Sequence, residues 1–402
     1  MAQDATAARR PKIAALANTY RVHLHPQHIF DRLLFGYGWN GAFHHPSLEL
    51  VSLYVEQREE GDLSPLRAKQ HPGMKVYNSV EDALTLGTGK LAVDGVVYVG
   101  EHGNYPKNEK GQTLYPRYQF FKQVVEVFRS SGRSVPYFTD KHYSWNWEWA
   151  KEMFDSSRKM GFPMMAGSSA AIRWRIPSLE FPDGASVREA ICVAFGGVDS
   201  YDFHALEAIQ SMVERRKGGE TGVEWLQAYR GENFWKAMEE GVWSPKLFKA
   251  AMCRSHNLMP GKPTFTGGYP TLAEMKALAR NPVAYHYQHT GGLRCTMMLL
   301  NGLVQDFNFA ADIEGQARPF STQLYASREF TGATLENYFT PMAHYIEQMM
   351  LTGKEPYPAE RNLMTTGLLC AAIDSLYQGE QRLKTPQLAI RYQPGKSTFV
   401  RA

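Results

Sequence analysis

"KIAALANTYRVHLHPQHIFDRLLFGYGWNG", residues 12–41, decides how the chain is read. It opens on the short apolar run "KIAALAN" (12–18) and continues into "HPQHIFDRLLFGYG", where Ile29, Leu33 and Leu34 recur at helical spacing. That is a strand followed by a helix. The glycines at its end, Gly36, Gly38 and Gly41, spell G-x-G-x-x-G. That pattern holds a pyrophosphate when it forms the turn leaving a strand and opening a helix. Here it comes after the helix. A helix-to-strand connection in an open α/β sheet lies at the strands' amino ends, whereas ligands bind outside their carboxyl ends. These glycines therefore read as a helix stop and a tight connection. The turn in the phosphate position is "ANTYRVHLHP" (17–26), and no glycine occurs before Gly36.

Strands and helices go on alternating from there. "LELVSLYVE" (48–56) reads as a second strand, "VEDAL" (80–84) as a short helix and "VDGVVYVGE" (93–101) as a third strand of β-forming residues. "YPRYQFFKQVVEVFRSSG" (115–132) is an amphipathic helix that Gly132 stops, and "SVPYF" (134–138) is the next strand. This order predicts an α/β unit over 10–144, a Rossmann-type, doubly wound parallel sheet. From 145 to 402 the style changes. A helix over "WNWEWAKEMFDSSRKMG" and strands in "FPMMAG", "VREAICVAF", "RCTMMLLNGLV" and "QARPFSTQLYA" precede a last helix in "RNLMTTGLLCAAIDSLYQG". That grouping predicts an α+β domain with an open, largely antiparallel sheet.

Composition narrows the partners. The 402 residues are 44% hydrophobic, enough for a core, and 44 basic against 40 acidic residues leave a net charge of +4 without long charged blocks. Neither nucleic acid nor a membrane surface is implied as a partner. No apolar run approaches the roughly 20 residues of a membrane span. Cys192, Cys253, Cys295 and Cys370 lie far apart with no C-x-x-C, so they read as reduced thiols. A cytoplasmic location is expected, with export after loss of a signal as the alternative.

In the order of its features the chain resembles the Gfo/Idh/MocA oxidoreductases, the family of glucose-fructose oxidoreductase and inositol dehydrogenase. "PGMKVYNSVEDAL" and "VDGVVYVGEHGNYP" are similar to the family's segments around its second and third strands. "GRSVPYFTDKHYS" resembles the strand that ends in Glu-Lys-Pro and maps Lys141 onto the catalytic lysine. "GGVDSYDFHALE" resembles the motif in which an aspartate precedes a histidine by four residues, and it maps His204 onto the catalytic histidine. The resemblance implies NAD(P) on the first domain, a small carbohydrate substrate between the domains, and a homo-oligomer paired through the second sheet. The sequence also departs from the pattern: "ANTYRV" replaces the glycine turn, His142 follows the lysine in place of proline, and Ser200 stands four before His204.

Polar residues crowd the carboxyl ends of the expected strands, where sites in such sheets lie: Tyr20, His23 and His25 after the first, Glu101 and His102 after the third, Asp140 to His142 after the fourth. Loss of a hydroxyl proton as a hydride leaves needs a base, and Lys141, His204, His102 and Asp202 are the candidates, Asp202 and Asp199 standing near the missing aspartate. Asn18, Thr19, Tyr20, Glu56 and Glu101 are placed to hold the cofactor, with Glu56 where the family binds the adenosine ribose. Asn104, Tyr105, Asp140, His142 and Glu207 are candidates for substrate. His204 and Glu207 share a helix face, but no H-E-x-x-H or comparable spacing favours a divalent metal. The function expected is NAD(P)-dependent oxidation of a sugar, glycoside or polyol hydroxyl. The alternative is a cofactor-free or metal-dependent carbohydrate lyase, hydrolase or isomerase on the same scaffold. A sugar-binding or scaffold protein without activity is the third reading.

Overall fold

The computed structural model describes residues 9–256, 258, 269–326 and 337–395. Its first sheet contains β1 (Lys12–Ala17), β2 (Glu49–Val55), β3 (Lys75–Tyr77), β4 (Gly95–Val99), β5 (Tyr137–Asp140) and β6 (Met164–Gly167). Their order is β3-β2-β1-β4-β5-β6, every pair parallel. The chain builds outward to β3 and then crosses back to β4 beside β1, which puts the switch point at the carboxyl ends of β1 and β4. Because successive side chains face opposite ways, "KIAALA" and "GVVYV" fill two cores at once. Ala15, Ala17, Val97 and Val99 face α1 (His25–Phe35), while Ala14, Leu16, Val96 and Tyr98 face α3 (Val80–Thr85), α4 (Arg117–Ser131) and α5 (Trp147–Met160). A short α2 (Ser64–Gln70) precedes β3.

The sixth strand comes from "FPMMAG", which the sequence reading assigned to the second domain. It pairs with β5 from Tyr137 opposite Met164 to Asp140 opposite Gly167. The parallel sheet therefore runs past residue 144, because α5 is the crossover that a parallel pair needs.

The second sheet holds β7 (Arg175–Ile176), β8 (Val187–Ala194), β9 (Val223–Arg230), β10 (Val283–His289), β11 (Arg294–Leu299), β12 (Phe307–Ile313), β13 (Phe320–Leu324) and β14 (Leu383–Lys384). Its order is β14-β9-β10-β11-β8-β12-β13-β7, antiparallel apart from the parallel pair of β8 and β11. One face packs on α6 (Tyr201–Val213). Part of the other, at Ile191, Val193, Ala284 and Met298, is covered by α7 (Glu232–Glu239), α8 (Pro245–Met252) and α9 (Leu272–Leu278). The chain then returns: α10 (Thr340–Thr352) packs Met342, Ile346 and Met349 into the core beneath β1, and α11 (Ala359–Tyr377) lies against α6.

Gly36 caps α1 at φ +93°, and a Cβ there would stand 2.5 Å from the His44 carbonyl oxygen. Asn40 and Gly41, both at positive φ, turn the hairpin that pairs Tyr37–Trp39 with Ala42–His44. The misplaced fingerprint is thus a helix stop and a hairpin. No helix among the described residues is long and apolar enough to cross a membrane.

Candidate active site

A cleft of about 330 Å³ opens at the carboxyl ends of the parallel strands. His25, the first residue of α1, Glu101 and His102 beyond β4, and Lys141 after β5 form one wall; Tyr201 and His204 of α6 and Phe307 of β12 form another. Lys141 and His102 hold φ near +67° and +65°, a left-handed backbone that costs an L-residue roughly 1–2 kcal/mol. Lys141 is kept there by two hydrogen bonds. Its N–H donates to the Gly167 carbonyl at 3.0 Å, and its own carbonyl accepts from Asn362 Nδ2 at 3.1 Å.

The charges form one connected set. Lys141 Nζ lies 2.7 Å from His204 Nε2 and 3.6 Å from Glu101 Oε2. Arg117, fully buried at the start of α4, donates to the other Glu101 oxygen, and its second nitrogen lies 3.3 Å from His142 Nε2. Burial alone would raise the Glu101 pKa, but Lys141 and Arg117 outweigh it and hold the carboxyl well below the usual carboxylate range. Burial, reinforced by the Lys141 and Arg173 cations, keeps His204 far below the ordinary histidine value, so its imidazole is neutral. An ammonium only donates, so Nε2 is the acceptor and the ring proton resides on Nδ1. His102 is lowered to about 4, chiefly by burial. His25 Nδ1 meets Asp140 Oδ2 at 2.6 Å.

The cleft thus assembles Lys141, His204, His102 and Glu101, with Asp140 behind His25. Other candidates stand elsewhere. Asp202 is wholly buried, and its carboxylate accepts from the backbone N–H groups of Asp199, Ser200 and Phe203 and from the Tyr285 hydroxyl, each at 2.9 Å. It caps the entry to α6 and has no oxygen to offer a substrate. Glu207 accepts from the Ser168 N–H at 2.6 Å and from Asn362 at 3.3 Å, buried between α6 and the end of β6. His142 is sealed behind Arg117. The cleft residues that the sequence reading did not single out include Arg173, Tyr201, Phe307 and Phe339, with Arg117 buried behind Glu101. Tyr201 lies within "GGVDSYDFHALE" but carries no signal of its own there, and the start of α4 at "YPR" was legible.

The crevice at the switch point does not fit a dinucleotide. Asn18, Thr19 and Tyr20 are each 0% exposed, with Asn18 Oδ1 accepting from Tyr98 at 2.8 Å and Tyr20 donating to Asp31. The loop after β4 reaches across the end of β1 to the loop after β2. Asn104 N–H donates to Gln57 Oε1 at 2.8 Å, Gln57 Nε2 donates to the Asn104 carbonyl at 3.3 Å, and the Tyr105 hydroxyl donates to Glu56. Side chains and loops of the chain itself occupy the path a pyrophosphate would take from β2 to β4. Asn104 and Tyr105 belong to this bridge. Of the five residues expected to hold cofactor, Glu56 alone is exposed, and Glu101 is bound within the cleft. Among the described residues no group of three or more His, Cys, Asp or Glu side chains stands ready to hold a metal ion.

Solved structures share this architecture. A myo-inositol dehydrogenase from Lactobacillus casei, in complex with NAD(H) and myo-inositol, superposes with a TM-score of 0.55 at 12% identity, over 94% of this chain and 97% of that one. A probable dehydrogenase from Thermotoga maritima gives 0.53 at 11%, over 94% and 99%. The chain has the fold of the Gfo/Idh/MocA dehydrogenases. A super-repressor mutant of Gal80p from Saccharomyces cerevisiae matches this Gfo/Idh/MocA-type fold at 0.54 and 7% identity, over 96% and 100%. No family model and no curated protein matches the sequence.

Two substitutions test the reassigned carboxylates. Asp202→Ala removes the acceptor of three backbone N–H groups and a buried tyrosine hydroxyl, and is expected to lower unfolding free energy by about 2–4 kcal/mol in urea titration. Burial raises Glu207 from 4.5 to about 7, so the folded state keeps a proton that the unfolded chain releases. That contribution is complete below pH 4.5 and is lost as pH rises to about 7. Glu207→Gln is expected to remove this slope, on the order of 1–3 kcal/mol between pH 5 and 8 relative to the unaltered chain.

Proposed function

We propose that the chain is a non-redox enzyme of sugars or polyols, an isomerase or lyase that removes a proton from carbon beside a carbonyl or carboxylate. The observation that carries this reading is the 2.7 Å contact between a lysine ammonium and a neutral imidazole inside the cleft. A base must take the carbon-bound proton, and a cation must hold the oxygen on which negative charge develops. The Lys141 ammonium, which lines the cleft, suits that oxygen. The proton then returns to the former carbonyl carbon while the neighbouring hydroxyl passes its proton to the enolate oxygen, which isomerises the substrate, or it joins a departing β-hydroxyl as water, which dehydrates it. Neither outcome consumes a redox cofactor, in keeping with the filled crevice. Glu101 is the one carboxylate lining the cleft among the described residues, and it is bound to Arg117 and Lys141. The carboxylate pair of most glycoside hydrolases is therefore not formed there.

A second reading, NAD(P)-dependent oxidation of a sugar or polyol hydroxyl, has Glu56 in its favour. That carboxylate is exposed just beyond β2, where the resemblance puts the adenosine ribose. The myo-inositol dehydrogenase solved with NAD(H) and myo-inositol is a neighbour in fold.

The test incubates the dialysed protein in D2O with ketoses, aldonic acids and cyclic ketopolyols, and follows loss of C–H signals by proton NMR. Exchange without added nucleotide is expected, falling about 100-fold or more in Lys141→Ala with unchanged circular dichroism. Saturable binding of NAD or NADP by calorimetry, with hydride transfer and no nucleotide-free exchange, would establish the second reading instead.

A further inference from the structure

We propose that His25, backed by Asp140, is the base that meets the substrate carbon, and that the connection from β1 to α1 presents this histidine where a dinucleotide-binding chain would present phosphate-binding glycines. The inference rests on the proton-transfer reading. His25 opens α1 immediately after the seven residues Asn18–Leu24, and Pro26 behind it favours the first helical turn. Its Nδ1 is bonded to Asp140 Oδ2 at 2.6 Å, and the aspartate side chain is 1% exposed. That carboxylate accepts the Nδ1 proton, which leaves the Nε2 lone pair as the basic site. The ring stands edge-on to Phe339 and to His102, centroids 5.0 and 5.5 Å away, and its side chain is 18% exposed within the cleft.

Two of the other imidazoles are committed, while His102 lines the cleft with no side-chain hydrogen bond to orient its ring among the described residues. His204 Nε2 takes the Lys141 ammonium, and His142 Nε2 lies on Arg117. His25 Nε2 has no hydrogen-bond partner among the described residues, and it belongs to a ring whose tautomer and orientation are both fixed.

The connection itself is anchored as a presenting element must be. Tyr20 is tied to Asp31 by its hydroxyl and to the Leu63 N–H by its carbonyl at 2.7 Å, and the His23 N–H donates to Gln27 Oε1 at 2.6 Å. In the step this implies, the substrate C–H bond breaks, its proton goes to His25 Nε2, and its electron pair forms the enolate whose oxygen Lys141 holds. The imidazolium, steadied by Asp140, then returns the proton to carbon. Asp140 is a positioning residue in this scheme, since it touches the histidine and not the substrate.

Two measurements decide the matter. Nitrogen-15 NMR of the full-length protein labelled at histidine is expected to show His25 protonated on Nδ1 and to show that preference lost in Asp140→Asn. A proton on Nε2 in the unaltered protein overturns the proposal. In the D2O assay with the same ketoses, aldonic acids and ketopolyols, His25→Ala is expected to lose about 100-fold or more of the exchange rate and to regain part of it with added imidazole. Exchange at the unaltered rate in His25→Ala overturns the assignment of His25 alone, because Lys141 and the reaction class would still stand. So does a loss that imidazole does not restore in a variant that melts normally. No exchange by the unaltered protein with any of these compounds overturns the proton-transfer reading, and this proposal with it.

Discussion

The hydrogen bond from the Lys141 N–H to the Gly167 carbonyl, 3.0 Å long, joins the end of β5 to the end of β6, and the cleft is organised around it. Neighbours along a strand point to opposite faces. The left-handed turn at Lys141 breaks that alternation at the strand's last step, and consecutive residues then serve one site: Asp140 behind His25, Lys141 against His204. The conformation costs about 1–2 kcal/mol, which hydrogen bonds on both sides of the peptide can offset. Gly167 is itself at φ +130°, with Glu207 Oε1 2.7 Å from where a Cβ would be. The close approach that fixes Lys141 therefore also buries Glu207 and raises its pKa.

Burying this many charged groups is tolerable only because they are paired. An isolated buried ion costs several kcal/mol even after relaxation. Arg117, without surface exposure, meets Glu101, and Glu101 in turn faces Lys141. The cationic side of this set has a second effect. Burial together with Lys141 and Arg173 holds His204 neutral, and burial together with Arg117 does the same to His142. In the cleft an ammonium group therefore lies against an uncharged imidazole, that of His204.

The parallel sheet was legible because its strands are buried on both faces and read as apolar runs between turn residues. "KIAALA" and "GVVYV" could hardly be anything else, and the glycines at 36, 38 and 41 were placed correctly by their position after a helix. The strands over "VEWLQAYR", "VAYHYQH" and "FNFAADI" escaped because polar side chains interrupt them, and those polar groups find partners on neighbouring strands or on loops distant in sequence, as His286 does with Thr296 and Gln227 with the Glu380 carbonyl. Sheet membership was harder still: nothing in "FPMMAG" says which sheet it joins. At the site, Lys141 and His204 followed from the order of motifs. Asp202 was misread because a helix cap and a catalytic aspartate look alike in sequence; its four donors come from both the adjacent loop and Tyr285 on β10. The pairing of His25 with Asp140 spans 115 positions, which local pattern cannot reveal.

The absent glycines and the bridging loop are one change seen from two sides. Glycine is required at the end of β1 when a pyrophosphate must approach the backbone closely. Here the loop after β4 lies over that point, held by Gln57 and Tyr105. Side chains can then fill the space, and those that do are large and polar, each with a buried partner: Asn18 with Tyr98, Tyr20 with Asp31. The same anchors stiffen the connection. A glycine-rich turn yields to a ligand and is ordered by it, whereas a turn built from Asn18 and Tyr20 is ordered by the protein and can hold a side chain at a fixed place in the cleft. At 7–12% identity the neighbours in fold share the packing of the sheets, while chemistry is decided at the strand ends. In this chain the end of β1 is a fixed part of the cleft wall.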